Sequence, residues 1–91
     1  MSAATKQIAQ RLIETREALG FHGHGAQVAF CKEIGVKKNV YNPFEKGERR
    51  ISVDVALKIK KRFNVPTDWI YAGDPSSLPA NIYRKLGRTA A

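Results

Sequence analysis

Residues 27–47 read Gln-Val-Ala-Phe-Cys-Lys-Glu-Ile-Gly-Val-Lys-Lys-Asn-Val-Tyr-Asn-Pro-Phe-Glu-Lys-Gly. The fold turns on this stretch. Phe30, Cys31 and Ile34 fall at i, i+1 and i+4, the spacing that puts three side chains on one face of a helix. Gly35 follows, a residue that takes a positive φ without a steric penalty and so ends a helix. Val36 then turns inward, and Val40, Tyr41 and Phe44 repeat the i, i+1, i+4 spacing. The pattern predicts two short helices, at about 26–34 and 37–46, around a tight turn. One residue conflicts with it: Pro43 lies inside the second helix.

Toward the N-terminus, residues 1–4 read as a frayed end. A first helix at about 5–19, capped by Thr5 or Ser2, carries an inward stripe of Ile8, Leu12 and Leu19. Thr15 weakens the middle of that stripe, Gly20 is placed as the stop, and Lys6, Arg11, Glu14 and Glu17 point mostly to solvent. The connector His22-Gly23-His24-Gly25 has no period and reads as a loop. Its two histidines are too few for a metal site, and no cysteine or acidic cluster joins them in sequence, so no metal and no cofactor are expected.

Toward the C-terminus, the polar link Glu48-Arg49-Arg50 precedes Ile51, which is expected to pack inward. Ser52 is a good N-cap for a fourth helix at about 53–63, with Asp54 in its first turn and Val53, Ala56, Leu57 and Phe63 as its expected buried face. Lys58, Lys60, Lys61 and Arg62 lie near that helix's C-terminus, where the dipole favours cations whether or not they touch a partner. Asn64-Val65-Pro66 breaks the chain, and a short fifth helix at about 67–72 carries Trp69 with Ile70 or Tyr71 as core residues. After the turn-rich Gly73-Asp74-Pro75-Ser76-Ser77, a last helix over 78–86 places Leu78, Ile82 and Leu86 in one row. That helix is too short to stand alone, so it packs on the domain or on a second subunit. Residues 88–91 are expected to be loose. The reading is an all-α fold of five or six short helices, with one domain over 1–73 and a tail over 74–91.

The charge narrows the function classes. The 91 residues carry a formal net charge of +8, which favours a polyanionic partner, nucleic acid before an anionic membrane surface. The excess is uneven: residues 37–62 hold nine Lys or Arg against three acids, and the rest of the chain holds seven against five. Basic residues thus gather in and just after the second helix of the 27–47 stretch. Two helices joined by a glycine turn form the helix-turn-helix unit, whose second helix is held against DNA. The single cysteine, Cys31, rules out an internal disulfide and suits a reducing, cytoplasmic setting; on its apolar face it reads as a core residue. No apolar run is long enough to span a membrane, and the polar N-terminus is unlike a signal peptide. Paired carboxylates, a nucleophile with its base and a phosphate-binding glycine loop are all missing from the pattern, so an enzyme is not expected.

At this point the residues match a known pattern. The chain resembles the helix-turn-helix domains of the phage repressor and Cro type, the XRE family, over about residues 8–73. The resemblance rests on Gln27 opening the second helix, Cys31 where the family has a small residue, Gly35-Val36 in the turn, Phe44-Glu45-Lys46-Gly47 at the end of the third helix, Arg50-Ile51-Ser52 before the fourth, and Asn64-Val65 with Asp68-Trp69-Ile70-Tyr71-Ala72-Gly73 in the fifth-helix region. It implies a five-helix, lambda-repressor-like bundle, to which the spacing of Leu78, Ile82 and Leu86 adds a short sixth helix in the tail. It also implies a sequence-specific regulator of transcription that binds double-stranded DNA as a homodimer on two half-sites, with the third helix in the major groove.

Roles follow from the resemblance residue by residue. Lys38, Asn39 and Asn42 are expected at base edges, where Asn pairs with adenine and Lys donates to guanine. Gln27, Lys37, Lys46, Arg49 and Arg50 are expected on phosphates. Arg16 is expected to pair with Glu45, fixing the pose of helices one and three. Three departures stand out. The loop before Gln27 is longer than the family's usual turn. Lys37 replaces the family's Ser or Thr cap. Pro43 stands where the family often has a polar reading residue. Pro43 leaves two local outcomes open: a kinked or shortened third helix, or a split at Asn42 with Asn42 as N-cap, Pro43 at N1 and Glu45 at N3. An alternative function is also open, an antitoxin-like module whose tail over 74–91 binds a protein partner while the domain binds DNA.

Overall fold

The computed structural model describes residues 3–86. Six helices and no strand occur among them: α1 (Ala3–Ala18), α2 (Ala26–Ile34), α3 (Lys38–Glu45), α4 (Val53–Phe63), α5 (Thr67–Ala72) and α6 (Ala80–Lys85). Residues 88–91 and Ser2, for which expectations were formed, lie outside the described part. α1 starts at Ala3, so Thr5 sits inside the helix and does not cap it.

One core joins all six helices. Ile8 and Leu12 of α1, Phe30, Cys31 and Ile34 of α2, Tyr41 and Phe44 of α3, Val55, Ala56 and Ile59 of α4, and Trp69 and Ile70 of α5 pack together, and Ile82 and Leu86 bring in the C-terminal segment. An aromatic group forms its centre. The Phe30 and Phe63 rings stack at 5.5 Å, and Phe21 meets both edge-on. Phe21 belongs to the connector between α1 and α2, so this long loop is anchored at its first residues: the Phe21 ring is in the aromatic group and its carbonyl accepts from Arg16 Nη1 at 2.7 Å.

The buried face of α4 differs from expectation. Val55, Ala56 and Ile59 point inward, while Val53 is 63% and Leu57 49% exposed. α4 carries two apolar rows, 53/57 and 55/59. The second continues the buried Ile51 at four-residue spacing, and that continuity decides which row faces the core. Ser52 caps the helix as expected, accepting from the Val55 N–H at 3.3 Å.

Two α1 residues also differ from expectation. Thr15 is buried because Trp69 needs it: the indole N–H donates to Thr15 Oγ1 at 2.8 Å, and the hydroxyl donates to the Arg11 carbonyl at 2.6 Å. Arg11 does not point simply to solvent. Its Nε and Nη2 donate to the carbonyls of Ile70 and Tyr71 at 3.1 and 3.2 Å, filling acceptors that the end of α5 leaves open. Its guanidinium lies so close to Gly73 that a Cβ there would meet Nη1 at 3.0 Å. The spacing held a clue, since Arg11 is three residues from Ile8 and four from Thr15 and so borders the buried stripe.

Candidate nucleic-acid interface

The site is built on the turn between α2 and α3. Gly35 adopts φ 70°, and its N–H returns to the last turn of α2. The Val36 N–H does the same, donating to the Cys31 carbonyl at 3.0 Å. Lys37 then enters α3 in extended conformation with no side-chain cap bond, as expected once Ser or Thr is absent.

α3 runs through Pro43 without a break. The split at Asn42 does not occur, because Glu45 does not serve the backbone at Asn42. Its carboxylate is held elsewhere by three hydrogen bonds: Arg16 Nε to Oε2 at 2.8 Å, Arg16 Nη2 to Oε1 at 3.1 Å, and Gln27 Nε2 to Oε1 at 3.0 Å. Tyr41 and Phe44, both buried, hold the same helix from the core side. The proline still removes one backbone donor toward the Asn39 carbonyl. Its own carbonyl closes the helix end, accepting from the Glu48 N–H at 3.0 Å.

The electrostatics of the buried side follow from this clamp. Burial acts most strongly on Arg16 and lowers its pKa, but the hydrogen bonds and charge of Glu45 outweigh it, and the net shift is upward. Burial pushes the Cys31 thiol up to about 11, with the Glu45 charge adding to it, which leaves an unreactive core thiol. The Tyr41 hydroxyl is buried without a hydrogen-bond partner among the described residues. Burial raises its pKa most; the Glu45 carboxylate is near enough to add to that shift but does not meet hydrogen-bonding geometry.

The opposite side of α3 is open. Lys37, Lys38 and Asn39 are exposed at its start, Lys46, Arg49 and Arg50 at and beyond its end, and Asn42 is half-buried between them. None of these cations forms a salt bridge among the described residues. Asn39, Asn42 and Lys46 lie at i, i+3 and i+7, so they share one face. Gln27 is half-buried, and its amide faces inward to Glu45 with one N–H already used. Val40, expected in the core, is 48% exposed. The i, i+1, i+4 spacing could not tell that Tyr41, Phe44 and Glu45 would form the buried face and leave Val40 at its outer edge.

The cations of α4 behave differently from those around α3. Arg62 pairs with Glu33 and lies 4.8 Å from the centre of the Phe63 ring. Lys60, Lys61 and Arg62 occupy the last turn, where the helix dipole accounts for them. His22 and His24 are exposed in the α1–α2 connector. Among the described residues no three His, Cys, Asp or Glu side chains are grouped to hold a metal, and no helix is long and apolar enough to cross a membrane.

A family model described as helix-turn-helix matches residues 25–70, just over half of the chain, from the residue that precedes α2 into α5. Comparison with curated proteins and with solved structures finds no match.

Proposed function

The chain belongs to the helix-turn-helix family of the Cro/C1 type, a family of DNA-binding regulators, and from that premise we propose that it is a cytoplasmic, sequence-specific regulator of transcription. In this reading α3 enters the major groove of double-stranded DNA. Lys38, Asn39 and Asn42 meet base edges; Lys37, Lys46, Arg49 and Arg50 meet phosphates on either side. Gln27 reaches a phosphate with its remaining amide N–H or its backbone N–H at the start of α2.

The observation that carries the proposal is the two-sidedness of α3. One side is fixed by Tyr41, Phe44 and the Glu45 clamp, while the other is exposed and ringed by cations that form no salt bridge among the described residues. A rigid element with one free, basic face is what groove reading requires. The protein acts as a homodimer, because one eight-residue helix contacts only a few base pairs and two copies double the reading length.

Selection from random duplexes tests this. The expected result is an enriched, two-fold-symmetric motif whose affinity falls steeply with salt. Enrichment of nothing, or weak binding insensitive to salt, overturns the proposal.

A further inference from the structure

The open face of α3 is not uniformly polar. Val40 is 48% exposed, and Pro43 follows it at i+3 and is half-buried. These two form an apolar row beside the polar row of Asn39, Asn42 and Lys46. Neither belongs to the core: the buried side of the helix is taken by Tyr41, Phe44 and Glu45. Val40 leaves about half of its surface open, and Pro43 is costly to any scaffold because a helix interior loses a hydrogen bond to it.

The geometry points to a thymine-reading strip: Val40, backed by the Pro43 ring, packs against the 5-methyl group of thymine in the major groove. The inference rests on the reading that α3 faces the groove, and it adds a specificity residue to that reading. Thymine is the one base with an apolar group in the major groove, and an aliphatic side chain is a matched partner for it. A rigid β-branched side chain and a ring with fixed φ lose little freedom on contact. The surroundings favour DNA over another apolar occupant. Lys37 and Lys38 lie just before the row, Lys46, Arg49 and Arg50 just beyond it, all exposed and without salt bridges among the described residues, so a second copy of this basic surface would be repelled.

The test uses the full chain and the duplex recovered by selection. Each thymine is replaced in turn by deoxyuracil, which removes only the methyl group, and affinity is measured by fluorescence anisotropy for wild type, Val40→Ala and Val40→Thr. Circular dichroism checks that each variant is folded. The expected result is a loss of about fourfold at one or two thymines per half-site for wild type. The loss disappears in Val40→Ala, and Val40→Thr, which keeps one methyl, retains part of it. Uniform tolerance of deoxyuracil by wild type overturns the inference while leaving DNA reading by α3 in place. An equal deoxyuracil penalty in wild type and Val40→Ala does the same. Self-association that Val40→Ala abolishes, with no deoxyuracil effect, assigns the strip to a second copy and also overturns it. Failure to recover any duplex motif overturns the underlying reading together with the inference.

Discussion

Arg16 of α1 and Glu45 of α3 meet side-on through two hydrogen bonds, 2.8 and 3.1 Å long, with side chains only 11% and 5% exposed. Their junction ties the first helix to the end of the third, and Gln27 joins it from α2. A buried carboxylate with three donors is well satisfied; one that has lost its arginine is not. We expect Arg16→Met to cost about 3–5 kcal/mol in urea unfolding followed by Trp69 fluorescence, and Arg16→Met/Glu45→Met to recover much of that loss. A double variant no more stable than the single one would show that the pair acts by packing and not by charge.

Arg11 bridges α1 to the end of α5 through two carbonyls. Desolvation lowers its pKa, but a guanidinium is not deprotonated in proteins, so Arg11 caps as a cation. Arg11→Met keeps most of the stem and loses both bonds. A destabilisation of about 1–2 kcal/mol is expected, reduced from the value for fully buried charged bonds because the side chain is only partly buried. Hydrogen exchange should show the loss concentrated in 67–73; uniform loosening of the whole domain would contradict the capping role.

Alkaline pH should weaken the fold by ionising the buried Cys31 thiol. The Cys31 thiol has its pKa raised from 9.0 to about 11, so the folded chain holds this proton more tightly than the unfolded one. The stability this provides is complete below pH 9 and is lost as pH rises toward 11, on the order of 2 kcal/mol. Tyr41 is shifted upward as well and acts in the same direction above pH 10. Urea midpoints from pH 8 to 11 should fall for wild type and fall less for Cys31→Ala. Identical slopes would exclude the thiol as a contributor.

Pro43 sits in the sixth position of α3, where its ring opposes the Asn39 carbonyl. Pro43→Ala restores that hydrogen bond and removes the clash, partly offset by a freer unfolded chain. The net expectation is a gain of about 1–2 kcal/mol in thermal or urea unfolding. A loss would mean that the ring's contacts outweigh the backbone cost.

If Lys46, Arg49 and Arg50 meet phosphates, each Lys or Arg to Gln change should lower the slope of log affinity against log salt by about 1 per subunit, with little change of preferred sequence. Lys60→Gln on α4 serves as the control and should leave the slope unchanged, since the last turn of α4 already accounts for that charge. Equal effects at all four positions would indicate diffuse attraction in place of a defined docking face.

Much of this protein was legible in its residues alone. The α2–turn–α3 unit, the glycine at its turn, the serine cap of α4 and the short α5 behind Pro66 all follow from signals a few residues long, because caps, turns and helical periodicity are local energies. The exposed positions of Lys38 and Asn39 follow from the same wheel that buries Tyr41 and Phe44. What tertiary structure alone decided is how apolar and polar groups far apart in sequence choose one another. The row of α4 that faces inward, the outward turn of Val40, the burial of Thr15 beneath Trp69, the Gln27 amide at Glu45 and the passage of α3 through Pro43 each depend on such a choice. Thr15 and Trp69 are 54 positions apart, and no periodicity carries information over that span. A hydrogen bond or packed face between distant segments exists only once the chain has closed, and its energy then overrides the local preference.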